Sequence, residues 1–318
     1  MCTTPISKRE ALAEQERLIF NSVDPKRLTW KRLDWGVFAW MTAMHAGALL
    51  APIYFSWSAV VAALVLHWLT ASVGICLGFH RYLSHRSFKL KTPSKFFVLL
   101  SGSLSAEGGP SRWAAIHRLH HAKSDKEGDP HSPRVSGMWA HLYWMFIEKC
   151  HKGDEAVVDK FGPDLTQDPM VRFFDKTFVL WSLGLGAVLY AIGGMPWLVW
   201  GLFVRTVCTY HSTWFVNSAT HLWGYRNYET RDDSRNNWWV ALLAYGEGWH
   251  NNHHAHPSVA PAGHRWWEID MTMWSIRFLQ LIGQAYDVKD RIPHPKAREA
   301  ALDETHEMPK EAQISLSA

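Results

Sequence analysis

Cysteine is scarce: 318 residues hold four, Cys2, Cys76, Cys150 and Cys208, with no C-x-x-C spacing among them. A disulfide framework, a thiolate zinc site and an iron–sulfur cluster are therefore not expected. An excess of one charge is also missing. Lys and Arg number 33 against 29 Asp and Glu, a net +4, which is too even a balance for a nucleic-acid partner. No G-x-G-x-x-G follows a predicted strand, so the chain shows no flavin or nicotinamide fingerprint of its own. Residues 1–34 lack the apolar core of a cleavable signal peptide, leaving insertion to the first apolar run. Above all, residues 36–79 and 177–204 contain no Asp, Glu, Lys or Arg.

A helix rising about 1.5 Å per residue crosses the roughly 30 Å hydrocarbon layer in about 20 residues, so each charge-free run is long enough for two crossings. Breaks at Pro52 with Ser56-Trp57-Ser58, and at Gly193-Gly194-Met195-Pro196, divide the runs into spans at about 36–54, 58–79, 177–193 and 196–218. A soluble bundle of buried helices is the weaker reading, because such helices seldom come as charge-free pairs joined by short turns. Neither turn carries Lys or Arg, and apart from Arg205 all of these residues fall in 1–34, 80–176 and the stretch after 218. By the positive-inside rule these segments, with both termini, face the cytoplasm. The prediction is an all-α integral membrane protein, with four transmembrane helices and a cytosolic helical cap made of residues 80–176 and 219–284. A charged tail, 285–318, follows. Trp35, Trp57, Trp181, Trp197 and Trp223 lie near span ends, where an indole suits the interface. For Arg205, inside the fourth span, three roles are open: snorkelling, pairing within the bundle, or bordering a channel.

Histidine is the other abundance, at 19 residues. Three compact groups stand out: His80 and His85 in H-R-Y-L-S-H, His117, His120 and His121 in H-R-L-H-H, and His250, His253 and His254 in H-N-N-H-H. On a helix, positions i, i+3 and i+4 share a face, so each H-x-x-H-H is expected to aim its imidazoles at a common point. His80 and His85, five apart, should diverge by about 140° on an ideal α-helix and are free to serve two different ions. Asn217 and His221, in N-S-A-T-H, share a face at i and i+4. Topology brings all of these residues to one side of the membrane. Nine imidazoles and a carboxamide are too many for one octahedral ion and suit two ions with positions left open. Imidazole serves zinc, copper, iron and nickel alike. Metal transport is disfavoured, since the ligand candidates stand at or beyond span ends rather than along a pathway within the membrane. His45, His67 and His211 lie inside spans, where a hydrogen bond between helices is the commoner role. His131, His141, His151, His256, His264, His294 and His306 share no helical face with a cluster.

These boxes, in this order and separation, resemble the membrane-bound fatty acyl desaturases of the stearoyl, or delta-9, type. The likeness extends to N-S-A-T-H-L-W-G at 217–224, G-E-G-W-H-N-N-H-H at 246–254 and D-P-H-S-P at 129–133, and it covers most of the chain. It implies a desaturase domain over 35–284 with a bent acyl tunnel and a di-iron centre of two iron ions. The ligands map onto His80, His85, His117, His120, His121, His221, His250, His253 and His254, with Asn217 contacting one iron through water; which histidine serves which iron stays open. It further implies dioxygen, electrons from ferredoxin or cytochrome b5, and a saturated acyl-CoA or acyl-lipid in which a cis double bond is made at the delta-9 position. The S-D-K-E-G-D-P-H-S-P stretch looks closest to the cyanobacterial and plant branches, which keeps an acyl-lipid in view.

The chemistry agrees with such a centre. A saturated methylene pair offers no acidic proton and no leaving group, so a strong oxidant is required, with the protein contributing ligands, orientation and exclusion of side reactions. Two alternatives remain: a fatty acyl or alkyl hydroxylase with the same metal centre, and a non-catalytic metal-binding membrane protein. Trp113, Tyr143, Trp144, Trp238, Trp239 and Trp249 are candidates for the tunnel or cap. Arg112, Arg118, Lys123, Lys126 and Arg134 are candidates for carrier phosphates, or else form a solvated basic face beside the membrane.

Overall fold

The structure, a computed structural model, describes residues 8–147 and 151–292; Cys2, Cys150, His294, His306 and the predicted tail beyond 292 lie outside them. Helix α1 (Lys8–Val23) leads through two short 3-10 turns to α2 (Trp35–Ala48). Asp34 caps α2, its Oδ1 accepting from Val37 N at 2.9 Å. Helix α2 ends at Ala48, short of the expected 54. Turns follow, in a stretch where Pro52 has no N–H to offer a further helical turn. Helix α3 (Trp57–His67) runs straight into π-helical turns over Trp68–Ser84. Strand β1 (Lys89–Leu90) precedes α4 (Thr92–Ser103), α5 (Pro110–Lys123), α6 (Gly137–His141), α7 (His151–Phe161) and α8 (Pro163–Thr166). Helix α9 (Pro169–Leu198) starts on a proline and is capped by Asp168, then passes through π turns at Val199–Val204 into α10 (Arg205–Leu222). Helices α11 (Trp238–Leu243), α12 (His250–Ala255) and α13 (Met271–Leu281) and strand β2 (Ala285–Tyr286) complete the described chain.

Two helical runs, Trp57–Ser84 and Pro169–Leu222, are long and apolar enough to cross a membrane. The second doubles back on itself. Gly194 holds φ 64° and ψ −153°, a conformation open to glycine, at the break expected from Gly193-Gly194-Met195-Pro196. A Cβ at Gly186 would sit 2.9 Å from Leu202, and one at Gly201 would sit 2.8 Å from Leu189, so the two arms lie side by side. Leu64, Leu180 and Ile192 are about two-thirds exposed, at 65%, 64% and 65%, an apolar surface that water disfavours. Trp35, Trp57 and Trp223 are exposed and Trp181 and Trp197 half-buried. Arg205 is buried and donates to Gly201 O at 3.1 Å and Leu104 O at 2.8 Å. Of its three open roles, it takes pairing inside the bundle.

Helix α4 lies hard against the π-helical segment, where a Cβ at Gly74 would come within 2.5 Å of the Ser101–Gly102 backbone. Ile75, Phe79, Leu99, Val171 and Phe174 fill the space beside this crossing, each large apolar side chain contributing about 1.5–3 kcal/mol on full burial. Strands β1 and β2 pair antiparallel, Leu90 opposite Ala285. Ala285 and Tyr286, the first residues of the predicted tail, are thus paired with β1.

Candidate metal centre

The π-helical turns decide where the first histidine box points. His85 N donates to His80 O at 3.1 Å, an i→i+5 bond that places residue i+5 over residue i. The two rings are 4.8 Å apart and belong to one group. The divergence expected from α-helical geometry is corrected here, because the helix has the wider turn.

The ligand atoms of His80, His85, His117, His121 and His253 all lie within 4.8 Å of one another, as do those of His120, His221, His250 and His254. Each H-x-x-H-H motif is therefore divided, contrary to the expectation of one common point per motif. On α5, His117 and His121 serve the five-membered group and His120 the other; on α12, His250 and His254 serve the four-membered group and His253 the other. A helix carrying three imidazoles on one face can lie between two foci, and two such helices facing each other complete both. Within the larger group the Nε2 atoms converge: His80 to His253 at 3.1 Å, His85 to His117 at 2.7 Å, His117 to His121 at 3.0 Å, and His121 to His253 at 3.0 Å. Nitrogens bound at right angles about 2.1 Å from a shared ion would stand about 3.0 Å apart, so the donors fit a transition metal. In the smaller group, Nε2 of His120, His221 and His254 and both nitrogens of His250 are buried without a hydrogen-bond partner among the described residues, as expected of ligand atoms. Asn217 lies one turn before His221 on α10 and lines the adjoining cavity.

Carboxylates hold the rings from behind. Nδ1 of His120, His221 and His254 meets Asp129 at 3.0 Å, Asp125 at 2.8 Å and Asp232 at 2.8 Å, fixing each tautomer so that Nε2 faces the metal position. His80 Nδ1 lies 2.9 Å from Glu247, at ion-pair distance, and Glu247 also takes Arg81 Nε at 2.9 Å. Burial, reinforced by neighbouring imidazoles, pushes His85, His117, His121, His250 and His253 well below the ordinary range. They are neutral, as ligands must be. Burial also takes His254 down to about 4, against the pull of Asp232. For His120 burial is outweighed by Asp129 and the shift is upward. Burial would raise Asp125, but His221 holds it down at about 2.

Sequence reasoning missed these anchors. Asp125 and Asp129 were visible beside H-R-L-H-H, and Glu247 three residues before His250, but nothing local pairs Asp232 with His254. His131, given no shared helical face, has its ring 4.2 Å from that of His120, tilted by 31°, and forms a third group with His120 and Asp129.

A cavity of about 720 Å³ opens beside the centre, with His117, His131 and Asn217 in its wall. Of the aromatic candidates, Trp113 and Trp144 line it. Tyr143 and Trp238 are exposed, Trp239 packs on Phe215, and Trp249 donates to Ile269 O at 2.8 Å. Glu107, also missed, stands in the cavity wall. Its carboxylate accepts from Trp113 Nε1 at 3.0 Å and Thr213 Oγ1 at 2.8 Å, and burial raises it to about 7. Of the basic candidates, only Arg112 lines the cavity, already bonded to Asp154 at 2.8 Å. Arg118 is spent on Asp164 and backbone carbonyls, Arg134 pairs with Asp233, and Lys123 and Lys126 are exposed.

The fatty acid desaturase family matches residues 55–277. The chain is 44% identical over 275 residues to the sn-2 palmitoyl-lipid 9-desaturase of Nostoc sp. (strain 36), covering 86% of this chain and 96% of that one. It is 45% identical over 266 residues to the chloroplastic palmitoyl-monogalactosyldiacylglycerol delta-7 desaturase of Arabidopsis thaliana, covering 82% and 70%. It is 40% identical over 294 residues to the acyl-CoA C20 Delta5-desaturase of Anemone leveillei, covering 88% and 92%.

Proposed function

The chain belongs to the fatty acid desaturase family of oxygen-dependent oxidoreductases, and from that premise we propose that it makes a cis double bond at the 9-position of a saturated acyl chain carried on a membrane lipid. The observation that carries this reading is the pair of convergent imidazole groups beside a cavity whose wall the larger group reaches through His117. His80, His85, His117, His121 and His253 hold one iron ion; His120, His221, His250 and His254 hold a second, with Asn217 beside it. Bound and reduced, the irons supply from dioxygen the oxidising power that an unactivated methylene pair requires. The carboxylates behind His120, His221 and His254 keep their Nε2 atoms aimed inward. Trp113, Tyr210 and Trp214 present an apolar wall that excludes water. Glu107 ties Trp113 to Thr213, so the wall keeps one shape beside His117. Methylenes are chemically alike, each worth about 0.8 kcal/mol on burial, so the shape of the wall must choose which pair reacts.

Position 9 and a lipid carrier follow the Nostoc relative, nearly all of whose length this chain covers; the Anemone relative acts on an acyl-CoA. The remaining parts of the proposal are four spans at about 36–54, 58–79, 177–193 and 196–218, a cap on the cytoplasmic side with both termini, and electrons from ferredoxin or cytochrome b5. Expression in a host lacking unsaturated fatty acids, followed by gas chromatography of its lipids, tests the reaction. Cis-9 alkenes are expected, whereas hydroxy acids without alkenes would replace the proposal by a hydroxylase. Metal analysis should find two irons per chain; one zinc, with no change in lipids, would point to the non-catalytic alternative.

A further inference from the structure

The cavity wall extends beyond the histidines. There its wall is Gly36 and Val37 from the first turn of α2, and Phe178 and Val179 from α9. These helices line the cavity together yet scarcely meet; α2 packs instead on the π turns at Val199–Val204 and on α10. Val179 is 45% exposed although it is part of the cavity wall. Gly36 is exposed as well, and a Cβ there would find only Asp34 Oδ1, at 3.4 Å. The wall thus includes residues of two separate helices that are also open to the outside. Gly36 adjoins the stacked, exposed indoles of Trp30 and Trp35, 6.3 Å apart, of the kind that suits a membrane interface.

Charge in the nearby wall narrows the occupant. Arg112 is bonded to Asp154, while Asp175 accepts from Ser111 N at 3.0 Å and has no cationic partner among the described residues. These three groups sum to one negative charge, a poor match for a carrier rich in phosphates. We propose that the gap between α2 and α9 is a side portal, through which an intact glycerolipid with an uncharged head group passes one acyl chain from the bilayer into the cavity, its ester resting near Ser111 and Asp175. A chain entering this way never crosses water, where every exposed methylene is penalised. The inference rests on reading the cavity as the acyl site and α2 and α9 as bilayer helices.

The test uses the full, iron-loaded chain with its electron supply in vesicles of dioleoyl phosphatidylcholine containing distearoyl galactosylglycerol. Val179→Trp and Gly36→Trp, which plug the gap, should each slow desaturation of the galactolipid at least ten-fold with iron content unchanged. Leu180→Trp, which adds the same bulk one residue away on a side chain outside the wall, should keep the wild-type rate. Plugged variants as fast as wild type would overturn the portal, and so would an equal loss in Leu180→Trp. A wild-type chain inactive on both this lipid and stearoyl-CoA would instead defeat the acyl-site reading. Activity on stearoyl-CoA alone would overturn the portal and leave desaturation standing.

Discussion

His45, His211 and His141 form a row, whereas the nine histidines of the candidate metal centre form two cages, although both sets bring ring nitrogens to about 3 Å. In the row, His45 Nδ1 donates to Met41 O at 2.7 Å, which leaves Nε2 of the neutral ring as an acceptor 3.3 Å from His211 Nε2. His211 therefore donates there, and its Nδ1 accepts from His141 Nε2 at 3.0 Å. His141 Nδ1 is left to meet Ser218 Oγ at 3.0 Å. A single backbone carbonyl thus sets the tautomer of every ring, and His211 spends both nitrogens in opposite directions. In the cages, carboxylates occupy Nδ1 of His120, His221 and His254, and the Nε2 atoms are free to converge. Proximity of imidazoles does not distinguish a ligand set from a structural bond. What does is whether the same ring atom of each points to one place.

The sharpest way to break this distinction is to truncate one ring from each set. His120→Ala or His254→Ala should abolish unsaturation, a loss of at least about a thousand-fold, and lower bound iron while leaving membrane insertion intact. His45→Ala should keep its iron and its products; equal loss from all three would erase the difference between cage and row. A smaller effect is expected from the anchors. Asp125→Asn or Asp232→Asn should weaken metal affinity by about 10- to 100-fold, read by competition with a chelator; unchanged affinity would show that the rings aim themselves.

The cages also predict a pH dependence that the metal normally conceals. His254 titrates at about 4 against an ordinary 6.5, and its lowered neighbours act in the same direction. Between those values the unfolded chain binds protons that the folded one refuses, so stability of the iron-free protein falls as pH drops through this window. Unfolding in detergent should show it less stable at pH 5 than at pH 7 by at least about 2 kcal/mol; equal stability would mean that the rings are not held neutral. The smallest effect belongs to the row, where His45→Ala should cost about 1 kcal/mol, the worth of an ordinary hydrogen bond, in the same measurement.

Much of the centre was legible in advance. The nine histidines of the motifs are the ones that the fold gathers, because i, i+3 and i+4 spacing is a local property of a helix and imidazole chemistry belongs to the residue. The turn at Gly194 was legible for the same reason. What resisted was geometry that depends on a partner. The π turns bring His80 and His85 together, yet nothing in the intervening R-Y-L-S marks a wider turn. Glu107 was one acid among many until Trp113 and Thr213 closed on it.

The amino-acid order alone determined where charge is absent and which imidazoles are spaced to share a helical face; these follow from composition and short-range periodicity. The tertiary structure decided which imidazole faces which focus, which carboxylate stands behind it, and where the cavity wall is left open. His80 meets His253 and His221 meets Asp125 across long stretches of chain. A pattern read along one helix has no term for what packing brings against its face.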